Sequence, residues 1–337
     1  MRKSIKNLGM ILIVVMLLTS CWEKPENQPH YLVAFDHYRD ICLLDVNDGI
    51  IENITESFFT LPYWTYVSDF SDDGRYLLFT KDTMTMGEEE YMCSEINDIY
   101  CYDVQTGEIE QLTNNDTWET IPKFSPDGEM ITFMGMSNGK WNVFIMNKDG
   151  SDYRNLVDAD RWEYRPRFSA DGQYLYYKIR QNDQVDICRN TPDGLNEVNL
   201  TNDAYEEGSF DISDDGNILY YSGSSIRRKD LNGELQVQLT PTGTISSSYY
   251  WPKLSPDGSL LSYVHASDWM YACLMNENGS DKIQLGKAFD SEFSPDGKYL
   301  FYLWPDGIYR YDISSGITDT LHQMMSNSLN LEVTIIE

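Results

Sequence analysis

FSPDGEMITFM, residues 124 to 134, sets an aromatic residue, a polar turn and an apolar run side by side. In such a turn proline presets the backbone, aspartate bonds to the chain beside it and glycine supplies positive φ. Phe70-Ser-Asp-Asp-Gly74, Phe168-Ser-Ala-Asp-Gly172, Ile212-Ser-Asp-Asp-Gly216, Leu254-Ser-Pro-Asp-Gly258 and Phe293-Ser-Pro-Asp-Gly297 repeat the pattern, making six copies. From glycine to glycine the spacings are 54, 44, 44, 42 and 39 residues. A period of about forty residues built on short strands is the mark of a propeller. Six copies also mark Asp127 and its equivalents as architecture, so no catalytic residue is assigned among them.

A second repeat lies between the first. Asp45 to Gly49, Asp103 to Gly107, Asn147 to Gly150, Thr191 to Gly194, Asp230 to Gly233, Asn276 to Gly279 and Asp312 to Gly316 each follow an aromatic or aliphatic run and lead into a polar-apolar alternation. These seven stretches read as strand, hairpin turn, strand. One module therefore comprises strand A ending at the Ser-Pro-Asp-Gly turn, strand B (130–134), strand C (142–146) and strand D (153–156), the four antiparallel strands of one blade. The first module, Tyr31 to Thr55, lacks a strand A, and LNLEVTII, residues 329 to 336, has the strand character to supply it. An all-β propeller closed by its C-terminal strand follows, with seven blades, or six if the first module packs differently.

The N-terminus reads differently. Arg2, Lys3 and Lys6 precede an apolar stretch from Leu8 to Leu18, followed by Leu18-Thr19-Ser20-Cys21. This is a secretory signal too short to span a membrane comfortably, and its end resembles a bacterial lipobox, whose cysteine becomes the lipidated first residue of the mature chain. The expected organisation is a signal peptide over residues 1–20, a lipidated tether over 21–30 and a propeller over 31–337. The location expected is the cell envelope, with Trp22 after the cysteine favouring the outer membrane, and the lipid is the only membrane contact expected.

The formal net charge is −29, and loss of Arg2, Lys3 and Lys6 makes the mature chain more negative still. Such a surface repels nucleic acid and anionic headgroups, so a basic partner fits better. Export permits disulfides. Yet Cys101, Cys188 and Cys273 each lie six residues before a hairpin glycine, at one equivalent position in three modules. Equivalent positions in separate blades lie beyond bridging distance, so buried free thiols are expected, with a bridge to Cys93 as the alternative. DFSDDG, residues 69 to 74, lacks the closing glutamate of a calcium loop.

The Phe-Ser-Pro-Asp-Gly turns, the Asp-x-x-x-Gly turns and QLTNN, residues 111 to 115, resemble the propeller repeats of the translocation protein TolB, over nearly all of residues 31 to 321. Related repeats occur in tricorn protease and in the propellers of prolyl oligopeptidase relatives. TolB carries an α/β domain before its propeller, whereas about ten residues separate Cys21 from the first strand here. The resemblance implies fold more than function. No Gly-x-Ser-x-Gly elbow of an oligopeptidase-type hydrolase occurs. No cofactor or metal is assigned either: His37 and His265 both follow a strand B, but no ligand spacing accompanies them.

In this blade order the A–B and C–D turns share one face, and the D–A and B–C loops share the other, at the mouth of the channel. Trp118-Glu119, Trp162-Glu163 and Glu206-Glu207 fall at matching offsets before Phe124, Phe168 and Ile212, and Trp64 holds the same place before Phe70. Tyr205, Tyr250 and Trp251 join them, with Tyr164 and Tyr249 alongside. Aromatic area beside oriented charge is what recognition patches use, while the structural alternative wedges the tryptophans between blades and bonds the glutamates to backbone amides at the start of strand A. The B–C loop from Lys81 to Asp98 is unusually long and suits a flap or a partner contact. The functional expectation is a binding or scaffold protein that holds a peptide or protein partner at the mouth, its basic groups meeting Glu119, Glu163 and Glu207. The alternative is a carbohydrate-binding or polysaccharide-lyase-like propeller.

Overall fold

A computed structural model describes residues 29–37, 40–55, 65–82, 97–157, 159–202, 207–233, 235–243, 248–323 and 331–336. They form seven four-stranded antiparallel sheets, the blades of a propeller. The inner strands of blades 2 to 7 are Thr65–Phe70, Glu119–Phe124, Trp162–Phe168, Phe210–Ile212, Ser248–Leu254 and Asp290–Phe293. Blade 1 takes its inner strand, Leu331–Ile336, from the C-terminus. That strand pairs antiparallel with His30–His37, Val333 opposite Val33 and Leu331 opposite Phe35. Seven blades and closure by the C-terminal strand, as read from the repeats, are the observed architecture.

Each blade is pressed between two others, so strands B and C are apolar on both faces rather than alternating. In blade 3, Met130–Ser137 and Lys140–Asn147 have nearly unbroken buried centres. The cores lie between blades: Leu78, Ile99 and Cys101 of blade 2 pack on Phe124, Ile131, Phe133, Phe144 and Met146 of blade 3. Leu331 and Val333 join Tyr31, Val33, Phe35 and the blade 7 residues Phe301, Leu303 and Ile308 in one such core, which holds the ring shut. The outer strands Arg154–Asn155 and Val198–Asn199 have two residues each and offer little edge for pairing, whereas Ile317–Gln323 of blade 7 has seven.

The repeated turn works as its composition demands. In the third blade the Ser125 hydroxyl donates to Asp127 at 2.6 Å, and the amides of Glu129 and Met130 donate to Asp127 and Ser125. Those bonds, that of Ser125 foremost, hold the Asp127 carboxyl below its ordinary range. Gly128 takes φ +70° to close the loop. The hairpin glycines meet a further constraint at Gly150 and Gly194, where an added Cβ would fall 2.5 Å from Leu112 O and 2.1 Å from Leu156 O. Only glycine lets these turns touch the outer strand of the preceding blade.

Cys42, Cys101, Cys188 and Cys273 are free and buried, each on a strand C. Cys93 lies outside the described residues, as does most of the Lys81–Asp98 loop.

Candidate functional site

The two faces are laid out as expected. Val104 N donates to Arg75 O and Lys148 N to Glu129 O, tying C–D turns to A–B turns on one face. On the other, Met136 N donates to Trp118 O and Gly208 N to Ser222 O.

Strand A lines the channel through a local irregularity. Ile121, Arg165 and Trp251 stand directly before Pro122, Pro166 and Pro252 with φ of +54°, +52° and +49°. Each lies inside a register shift between strands A and B, the geometry of a β-bulge. A left-handed conformation costs a non-glycine residue roughly 1–2 kcal/mol, and the bulge re-aims the side chain it carries. Ile, Arg and Trp at one structural position give three blades different chemistry.

Two residues after each of these positions sits a charge, Lys123, Arg167 or Lys253, and Asp69, Asp211, Glu292 and Glu332 join them at the channel. Lys123 Nζ lies 3.0 Å from Asp69 and 2.9 Å from Glu332. Arg167 pairs with Asp211, and Lys253 pairs with Glu292 and, at 3.3 Å, with Asp290. Asp69 and Asp211 also accept the Phe124 and Leu254 amides at 2.8 and 2.7 Å. Burial pushes the Asp69, Asp290 and Glu332 carboxyls up, against the pull of the lysines.

The anticipated site residues separate into three groups. Trp64, Tyr205 and Glu206 lie outside the described residues. Glu119 and Glu163 are fully buried. Glu119 accepts from the Thr113 hydroxyl and from Asn115 Nδ2 at 2.7 Å. Glu163 accepts from Val143 N at 3.1 Å and from Arg161 Nη2 at 3.1 Å. Burial raises both carboxyls. Successive strand residues point opposite ways, so Trp118 turns to the surface while Glu119 turns into the blade. The carboxylates therefore fix the D–A loops from beneath.

Glu207 is buried as well, and the remaining aromatic residues lie on the face. Trp118 is exposed and meets Trp141 edge-on at 5.9 Å. Trp162 stacks on Tyr164 at 6.1 Å, and Tyr250 leans on Trp251 at 5.6 Å. The Trp251 amide donates to Ser209 Oγ at 2.7 Å. Glu207 and Tyr250 border a cavity of about 1030 Å³, together with Tyr164, Arg165, Lys178, Arg180, Tyr221 and Arg227.

This cavity exists because blade 5 is cut short. Its B and C strands, Ile218–Tyr221 and Arg227–Asp230, have four residues each, whereas Leu175–Gln181 and Gln184–Asn190 of blade 4 have seven. SGSSI, residues 222 to 226, crosses between the short strands, leaving a notch in the rim. Lys178 and Arg180, alternate residues of the longer neighbour, project over it with Tyr176 beneath them on the same face. The charges were missed in the sequence, although RPRF at 165 to 168, LYYKIR at 175 to 180 and the polar break at 222 to 225 carry the signal.

His265 is not among the described residues that line this cavity. His265 stacks on Tyr249 at 4.7 Å, and burial lowers its basicity, while the His37 side chain is not described. Among the described residues no three His, Cys, Asp or Glu side chains are placed to share a metal ion.

The TolB beta propeller domain family matches residues 41–238, more than half of the chain. The chain belongs to the TolB beta propeller domain family. No curated protein matches this TolB-type propeller. Among solved structures, TolB from Acinetobacter baumannii is similar at 16% identity and a TM-score of 0.55, over 77% of this chain and 64% of that one. The periplasmic gluconolactonase of Pseudomonas aeruginosa is similar at 16% identity and a TM-score of 0.60, over 90% and 98%. An oligogalacturonate lyase from Vibrio parahaemolyticus is similar at 13% identity and a TM-score of 0.57, over 70% and 72%. At these identities the likeness is one of fold, and proteins with different activities share it.

Proposed function

We propose that the chain is an exported, lipid-anchored binding protein that holds a peptide segment of a protein partner at the channel mouth. The observation that supports this most is the notch over blade 5, large enough for several residues of extended chain and walled by Tyr164, Tyr221 and Tyr250. Rigid rings supply contact area at small entropic cost, and the sheets hold the pocket open before the ligand arrives. Glu207, Trp162 and Trp251 belong to its rim in this reading. Glu119 and Glu163 act indirectly, through the loops that carry Trp118 and Trp162. Cys21 carries the lipid, and Cys21→Ser releases the protein from membranes.

A second reading, glycan binding, draws on a different patch. Trp269, more than half exposed, meets Trp304 edge-on at 6.1 Å with the Lys287 ammonium 3.9 Å from its ring, and rings so presented suit sugar faces.

Selection of a displayed random peptide library on the soluble protein, alongside a glycan array, separates the two. Ser224 is exposed and lines the notch, so Ser224→Trp fills it without disturbing a core. Peptides retained by the parent and lost by Ser224→Trp support the proposal. Glycan retention that ignores Ser224→Trp, with no peptide selected, contradicts it.

A further inference from the structure

The charge around the notch runs against the rest of the molecule. The chain carries 54 acidic and 25 basic side chains, yet the described residues lining the cavity include four basic groups, Arg165, Lys178, Arg180 and Arg227, and one acidic group, Glu207. A surface drawn from this composition would hold more carboxylates than cations. We infer that the notch receives an acidic peptide segment, whose carboxylates meet these four cations. This rests on the peptide-binding reading above and reverses the charge anticipated for the partner.

Three observations carry the assignment. The Arg165 guanidinium has no hydrogen bond or ion pair among the described residues, and Asp290 acts on it only through space. Its bulged backbone aims it at the mouth, so a cation is presented there without an internal counterion. Arg165 is exposed, so a ligand carboxylate can reach its guanidinium and take a forked pair of hydrogen bonds.

Lys178 and Arg180 stand two apart on one strand and face the same side. Among the described residues Arg180 has only a long 3.4 Å ion pair, to Asp183, itself almost fully exposed, and pairs of that kind contribute little. Arg227 faces them from the shortened blade, so charge reaches the notch from two sides. A single carboxylate cannot meet all four groups; a chain with acidic side chains at intervals can.

The net charge of −29 does not forbid such a ligand. At physiological ionic strength fields decay over about 8 Å, so an occupant of the notch senses the nearby cations more than remote carboxylates. Tyr164, Tyr221 and Tyr250 offer rings for its apolar atoms.

The test is titration of the soluble protein, residues 22–337, with fluorescent hexaglutamate, hexalysine and hexaglutamine peptides, and with trigalacturonate as an acidic non-peptide. Hexaglutamate should bind, hexalysine should not, and Arg165→Gln and Lys178→Gln should each weaken hexaglutamate about tenfold or more while thermal melts stay unchanged. Ser224→Trp should abolish binding of every ligand at the notch. Preference for hexalysine, or hexaglutamate binding indifferent to Arg165→Gln and Lys178→Gln, overturns the acidic assignment. Hexaglutamine binding as well as hexaglutamate, and lost in Ser224→Trp, would do the same while leaving the notch as a peptide site. Trigalacturonate binding without hexaglutamate overturns the peptide.

Discussion

The Lys123 ammonium of blade 3 lies 2.9 Å from the Glu332 carboxylate of the C-terminal strand. Blade 2 stands between them, and its Asp69 takes the same ammonium at 3.0 Å. One side chain thus ties three consecutive inner strands together at the seam where the ring closes. The apolar core around Leu331 and Val333 supplies the bulk of that closure, and the charges fix which strand edge sits at the channel.

Lys123→Met removes the shared cation and keeps most of its volume. The carboxyl groups left behind hold a proton rather than stay charged and unpaired, so the expected loss is that of the hydrogen bonds to the ammonium, about 1.5–3 kcal/mol. Urea unfolding measures it, and amide exchange should rise first in Leu331–Ile336. An unchanged urea midpoint would show that the seam does not depend on this ammonium.

Acidity should act on the same network with a definite sign. Burial raises the Glu332 carboxyl from 4.5 to about 8 and also raises Asp69 and Asp290. The folded state then holds protons that the unfolded chain releases, so their contribution is fully present below pH 4.5 and is lost as pH climbs towards 8. The turn aspartates, such as Asp127 and Asp171, are lowered by their serine partners. Their contribution is present above an ordinary carboxyl value of 3.8 and is lost below it. Stability should peak between about pH 3.8 and 4.5, and Glu332→Gln should flatten the alkaline side only. A urea midpoint that rises from pH 5 to 8 contradicts this account.

The buried cysteines make a third prediction. Burial pushes the Cys101 and Cys188 thiols up to about 12 and Cys273 to about 11, which suppresses the reactive thiolate. Native protein treated with iodoacetamide at pH 8 should leave Cys42, Cys101, Cys188 and Cys273 unmodified by peptide mass mapping, and unfolding in urea should expose all four. Alkylation of Cys188 in the native state would be incompatible with the packing between blades 3 and 4.

The architecture could be read from the chain because turn chemistry is local: Ser125, Asp127 and Gly128 need only each other and the next two amides. Closure by residues 329 to 336 was legible for a similar reason, as an unpaired strand matched a module lacking one. The site was less open to reading. Glu119 and Glu163 adjoin surface tryptophans in sequence, but strand alternation sends them inward, where Thr113 and Val143 receive them. No local pattern announces that partner, since Val143 is twenty residues from Glu163. The cations of the notch escaped because they converge from blades 4 and 5, and because the excess of carboxylates hides a local inversion of sign. The prolines at 122, 166 and 252 were visible; the left-handed residue before each was not, since that position ordinarily avoids such geometry.

The central claim is that the mouth over blade 5 is where the partner binds. The most direct measurement is hydrogen exchange of the whole soluble protein with and without a selected peptide. Protection confined to residues 164–165, 178–180, 207–209 and 222–227 is the predicted result. Protection on the opposite face, at the turns around Asp127, Asp171 and Asp257, with none in these segments, would contradict it.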